Sequence, residues 1–126
     1  MRIRLSRKSE ALQEKERLEK EWAIAIRARD NNACVVCHTF NRPNAHHILP
    51  RELHKWKFDK TNGITLCVKH HKFSRTLSAH NCSLPFFVWL SCNRPEQFRI
   101  AWERAKVLME SEVKWDEQWR ENGWNN

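Results

Sequence analysis

Asn62-Gly63-Ile64-Thr65-Leu66-Cys67-Val68-Lys69-His70-His71 puts a turn, a strand and a ligand-bearing helix in immediate succession. Asn62-Gly63 is a turn signal. Ile64 to Cys67 is apolar and β-prone, which predicts a short strand. Val68 to about Ser74 reads as a short helix, because its Cys and His side chains converge only at helical spacing. Upstream, Asn32 to Gly63 is loop-rich, with Pro43, Pro50 and several Asn, and holds one more extended piece at Ala45 to Leu49. The expected centre is therefore ββα, flanked by helices in an α+β, mainly helical fold.

The N-terminal flank, residues 8–29, lacks Gly and Pro and predicts a helix whose stripe is Leu12, Leu18, Trp22 and Ile26. Mixed charges such as Glu16 with Lys20 suit its solvated face, and Asp30-Asn31-Asn32 ends it. Beyond a Ser/Asn-rich turn, Leu84 to Cys92 predicts a small helix with Pro85 in its first turn. Asn93 is expected to cap a longer helix with Pro95 near its start, running to Glu121 with Phe98, Trp102, Val107 and Leu108 inward. Most of the Trp side chains fall in these flanking helices, where packing is their expected role. No repeat or low-complexity segment interrupts the chain. The organisation expected is one domain over 1–126, with an N-terminal helix (8–29), a central core (32–75) and C-terminal helices (84–121).

The chain has 126 residues, 23 Lys and Arg against 15 Asp and Glu, and a net charge of +8. Residues 31–75 carry eight basic and two acidic side chains and six of the seven His, so most of the excess lies where the candidate ligands lie. A basic segment coinciding with ligands points to nucleic acid. A mean hydropathy of −0.80 excludes an integral membrane protein, and the longest apolar run, Leu84 to Leu90, is far too short to span a bilayer. Met1 to Glu10 has charges but no apolar stretch behind them, so a cytoplasmic setting with reduced thiols is expected.

In such a compartment clustered Cys and His more often bind metal than pair as disulfides. Cys34-Val-Val-Cys37 and Cys67-Val-Lys-His70 can each supply half of a tetrahedron. Twenty-nine residues separate the two pairs, too many for a DNA-reading zinc finger. Cys34-Val-Val-Cys37-His38 formally matches a c-type haem attachment motif, but that normally requires export. A thioredoxin-like pair expects a βαβ setting, which the segment lacks. Plain buried thiols are the remaining rival, and the default for Cys82 and Cys92. His80 with Cys82 is a minor alternative as zinc ligands.

Four features fall in order: the Cys pair, His46-His47 on the first strand, Asn62 fifteen residues on, and His71 nine residues further. In this the chain resembles the HNH endonucleases, which carry the ββα-metal motif, and it looks like their small phage-type members. The likeness spans about Cys34 to His71. It extends to Glu52-Leu53 and Lys57-Phe58-Asp59, to Ser78-Ala79-His80 with Leu84 to Leu90, and to Arg94 to Phe98.

The resemblance implies a metal-dependent DNA endonuclease. His47 is its general base, His46 and His71 are ligands of the catalytic metal, and Asn62 orders the loop holding His47 or reaches that metal. It implies structural Zn²⁺ on Cys34, Cys37, Cys67 and His70, although Cys67-x3-His71 is also a legal spacing. Imidazole at His46, where many members have Asp, resembles the colicin-type nucleases. It favours Mn²⁺, Ni²⁺, Co²⁺ or Zn²⁺ over Mg²⁺. Arg51, Lys55, Lys57, Lys60 and Lys69 are the expected phosphate contacts, and His54 is expected to touch phosphate rather than metal. The implied partners are DNA and phage packaging or recombination proteins, with no membrane and a monomer or dimer as the working unit. Strand alternation predicts opposite faces for His46 and His47. A zinc-containing DNA-binding module without catalysis, and a nuclease acting on branched DNA or RNA, are the alternatives.

Overall fold

The computed structural model describes residues 9–51 and 55–112. In chain order these form helix α1 (Glu10–Arg29), strand β1 (Asn44–His47), a 3₁₀ turn (Lys60–Asn62), strand β2 (Gly63–Leu66), a π-helical turn (Lys69–Phe73), α2 (Ser83–Asn93) and α3 (Pro95–Glu112). The fold is α+β and mainly helical, as expected. The predicted extension of the last helix to Glu121, and His54, lie outside the described residues.

Ser9 starts α1 by accepting the Leu12 N–H at 3.2 Å, and Arg27 and Arg29 sit in its last turn, where the helix dipole favours cations. The inner stripe is shorter than its periodicity suggests. Trp22 and Ile26 are buried and Leu18 half-buried, but Leu12 is 41% exposed. The reason is one of reach: a 20-residue helix is about 30 Å long. A strand of four residues spans only about 13 Å, so the first turns of α1 overhang the sheet.

The inner face of α3, which packs on α2 and the 3₁₀ turn, is also narrower than expected. Ala101 is buried and Phe98 packs on the core, whereas Trp102 and Val107 are 47% and 54% exposed, contrary to the inner face expected for them. Leu108 is half-buried. Asn93 does not cap α3 either. It closes α2, its Nδ2 donating to the Trp89 carbonyl at 2.9 Å, and Arg94 makes the joint between the two helices.

The two strands pair antiparallel, with His46 opposite Ile64 and His47 opposite Gly63. Every residue of β2 is buried. Ile64 and Leu66 join Cys34, Ile48, Phe86, Leu90 and Ala101 in one core. α1 crosses the hairpin at Gly63, where a Cβ would fall 2.5 Å from Ile26 Cδ1 and 2.6 Å from Trp22 Cζ2. Only glycine admits helix and strand at that separation. Gly63→Ala is expected to cost about 2 kcal/mol through overpacking, read as a lower urea midpoint at unchanged slope.

Asp30, at the end of α1, has a carboxylate that is 1% exposed and fully engaged. It binds Arg29 at 2.8 Å, accepts the Thr65 backbone N–H at 3.0 Å and binds Arg94 at 3.0 Å. α1, β2 and the α2–α3 joint therefore meet on one charge. Burial pushes this carboxyl up, but the two guanidinium groups and the Thr65 donor outweigh it and hold the group below its ordinary 3.8. A depressed carboxyl stabilises the fold above the unfolded value and loses that contribution as pH falls through the folded one. Asp30→Asn, which leaves two arginines without their partner, is expected to cost about 3 kcal/mol in urea unfolding. It is also expected to flatten the loss of stability of the parent protein below pH 3.8.

Candidate metal centre and catalytic site

Two separate ligand groups meet on the π-helical turn. Cys34, Cys37, Cys67 and His70 bring their donor atoms within 4.8 Å of one another. Cys37 Sγ lies 3.7 Å from Cys67 Sγ, and His70 Nδ1 lies 3.3 Å from Cys67 Sγ and 3.7 Å from Cys34 Sγ. Tetrahedral zinc with ordinary bond lengths needs edges of about 3.8 Å between sulfurs and about 3.5 Å between sulfur and nitrogen. The group therefore fits a metal ion such as zinc. Burial pushes the Cys34 thiol up, but backbone N–H groups of Cys67, Cys37 and Val36 outweigh it, and the net displacement is below 9.0. That environment suits a thiolate ligand. Of the two histidines left open by spacing, His70 is the one that joins the thiols.

His71 turns the other way, into a group with His46 and His80. Its Nε2 is 3.1 Å from His80 Nε2, and the His46 ring stands edge-on to both neighbours at centroid distances of 4.8 and 5.1 Å. The turn is wound more widely than the helix expected there, with Ser74 N–H donating to the Lys69 carbonyl five residues back. Burial, followed by the adjacent His80, pushes His71 down to about 4. Burial, then His71, His80 and His47, pushes His46 down to about 3. Neutral imidazoles with free lone pairs are what a divalent ion requires.

His80 is the member of this group that the sequence offered only as a minor zinc-ligand alternative with Cys82. Its signal is weak because it belongs to neither a strand nor a helix. It is delivered by the loop 74–82, which is clipped to the ligand turn by Ala79 N–H to His70 carbonyl (2.9 Å) and His80 N–H to His71 carbonyl (3.0 Å). Ser78 organises that loop from a fully buried position. Its hydroxyl donates to the Ser74 carbonyl at 2.8 Å and accepts the N–H groups of Asn81 and Cys82 at 3.0 and 3.1 Å.

His46 and His47 point to opposite faces of β1, as alternation requires, yet both line one cavity of about 900 Å³ with Arg51, His71, Lys72 and His80. His47 stacks on Trp22 of α1, ring centroids 4.0 Å apart and nearly parallel. Its Nε2 lies 2.9 Å from the Lys57 carbonyl. A carbonyl only accepts, so Nε2 carries the proton and Nδ1 keeps its lone pair. Burial lowers the His47 pKa below 6.5, against the opposing pull of that carbonyl.

Asn62 is buried and works on the backbone. Its Oδ1 accepts the Leu49 N–H at 2.8 Å, and its Nδ2 donates to the carbonyls of Leu49 (3.1 Å) and Trp56 (3.4 Å). It thus ties the two ends of the loop that follows His47.

Arg51, Lys55, Lys60 and Lys69 are exposed around this region. Lys57, expected among the phosphate contacts, is not. Its side chain is 4% exposed and its ammonium pairs with Glu19 of α1 at 2.7 Å. That pair anchors the residue whose carbonyl orients His47. Trp22 and Arg104 hold the same loop from both sides, through the Asp59 carbonyl (3.0 Å) and carboxylate (2.8 Å).

Ser78→Ala is expected to separate the two ligand groups. Titration with Co²⁺ should still show the thiolate-bound equivalent, whereas affinity for a second, imidazole-bound equivalent should fall about 10–100-fold, as when a ligand loses its supporting contacts.

Residues 34–74 match a family described as HNH endonuclease, a span that covers the thiol loop, the hairpin and the π-helical turn. No curated protein and no solved structure matches the chain. Within its helical frame the chain is therefore similar, from Cys34 to Ser74, to the HNH endonuclease family.

Proposed function

We propose that the protein is a metal-dependent endonuclease that hydrolyses phosphodiester bonds of DNA. The observation that carries this is the pairing of His47, with Nδ1 unprotonated, and a three-imidazole group on one cavity flanked by exposed cations. Zinc on Cys34, Cys37, Cys67 and His70 is the structural ion in this reading. His46, His71 and His80 are the ligands of a catalytic divalent ion, which when bound supplies Lewis acidity toward the phosphate and the departing oxygen.

The chain's own residues do the remainder. Arg51, Lys55, Lys60 and Lys69 draw in and place the phosphate backbone without reading bases. His47 Nδ1 takes a proton from water, and the resulting hydroxide oxygen bonds to phosphorus. The bond from phosphorus to the 3′-oxygen breaks, and that oxygen takes a proton from solvent. The ends are a 5′-phosphate and a 3′-hydroxyl. The Lys57 carbonyl and the Trp22 ring keep the imidazole fixed throughout, and the Glu19–Lys57 pair keeps the carbonyl in place. One such site cuts one strand per event.

Supercoiled plasmid incubated with Mg²⁺, Mn²⁺, Ni²⁺, Co²⁺ or Zn²⁺ is expected to be nicked, and chelator should abolish the nicking. His47→Ala, folded and holding its thiolate-bound ion, should lose about 10²–10⁴-fold in rate, the usual worth of a positioned base. Because burial depresses His47, the base stays neutral to below its ordinary 6.5. The acid limb of the rate profile should therefore lie below that pH, the rate falling as pH drops. Equal nicking by parent and variant, or none with any ion, would sink this assignment.

A further inference from the structure

Between Asp59 and Glu96 the chain contains no carboxylate side chain, while Lys60, Lys69, Lys72, Arg75 and Arg94 all fall there. In the middle of this stretch, as the last residue of the π-helical turn, stands Phe73, which is 69% exposed. Lys69, Lys72 and Arg75 around it are exposed as well. Two positions earlier, the same turn carries His71.

The position is fixed. Ser74 N–H closes the turn on the Lys69 carbonyl at 2.8 Å, and Ser74 Oγ accepts the N–H groups of Leu77 and Thr76 at 3.0 and 3.4 Å. Phe73 is therefore an aromatic ring in water on an ordered turn that also carries the exposed Lys69 and Lys72. Core packing does not account for it. A ligand matching this patch needs negative charge for the lysines and arginine and a flat apolar face for the ring. Nucleic acid offers both, phosphates outside and base faces within.

A regular duplex shows groove edges and hides base faces in the stack. A phenyl ring reaches a base face only where a step has opened, whether it wedges the step apart or meets a base already unpaired. We propose that Phe73 stacks on an unpaired or unstacked base of bound DNA. The preferred substrate is accordingly DNA with an opened step, such as a bulge or a fork, rather than uninterrupted duplex. This rests on the nuclease assignment for its meaning, but not for its test.

Binding is measured with the His47→Ala protein, which keeps both ligand groups and does not cut. The probes are a perfect DNA duplex and the same duplex with one unpaired nucleotide, each with 2-aminopurine at the central step. The bulged duplex is expected to bind about tenfold tighter, the worth of one stacked base. Adding Phe73→Ala should erase that preference and leave duplex affinity within about twofold, whereas Phe73→Trp should retain it. Lys69→Ala should weaken binding to both DNAs alike and reduce the salt dependence.

Equal affinity of the two DNAs, or a preference indifferent to Phe73→Ala, would overturn the proposal. So would an unchanged 2-aminopurine signal on binding. Failure of the nuclease assignment looks different: the preference and its dependence on Phe73 would persist in a protein that never nicks.

Discussion

A carboxylate removed from water is costly unless its charge is answered on every side. Asp30 meets that condition with two guanidinium groups and a backbone N–H drawn from three parts of the chain. The consequence is positional more than energetic. The end of α1 is fixed against Thr65, one residue from Ile64, the strand partner of His46. With α1 fixed, Trp22 lies against both Gly63 and His47. Arg94 carries the same constraint into the α2–α3 joint and so to Phe86, which lies against the His46 ring at a centroid distance of 6.2 Å. The helices outside residues 34–74 are thus the frame that sets the angles of the histidines.

Much of the site could be read in the sequence because ligand chemistry constrains spacing tightly. A Cys-x2-Cys turn and a Cys-x2-His turn have few structural uses, and the run of His46, His47, Asn62 and His71 followed the order of the ββα motif. The fold class and the two central strands were legible for the same reason. Where periodicity alone was the guide, the outcome depended on what surface lay opposite. Trp22 and Ile26 found the hairpin. Leu12, Trp102 and Val107 stay largely exposed, Leu12 because the strands are too short to reach it.

Three features could not be read locally, each because it depends on a partner distant in sequence. Lys57 appeared to be one more cation in a basic loop, and only the folded position of Glu19 turns it inward. Asn62 had two roles open to it, and the folded loop engages its amide with the carbonyls of Leu49 and Trp56. His80 lies beyond the last regular element of the motif, in a loop whose course is set by the hydroxyls of Ser74 and Ser78. Hydroxyl networks of this kind leave no periodic trace.

The π-helical turn, five residues long, serves two ligand groups at once, since adjacent histidines leave it in different directions. Ordering backbone costs roughly 1–2 kcal/mol per residue, and that loss is incurred only once for a shared turn. An ion held by the thiols would further restrain the backbone that also carries His71. A second ion arriving at the imidazoles loses correspondingly less entropy. Were both groups to hold ions, linkage would make the benefit mutual, occupancy of either tightening the other through the shared turn and without any contact between the ions.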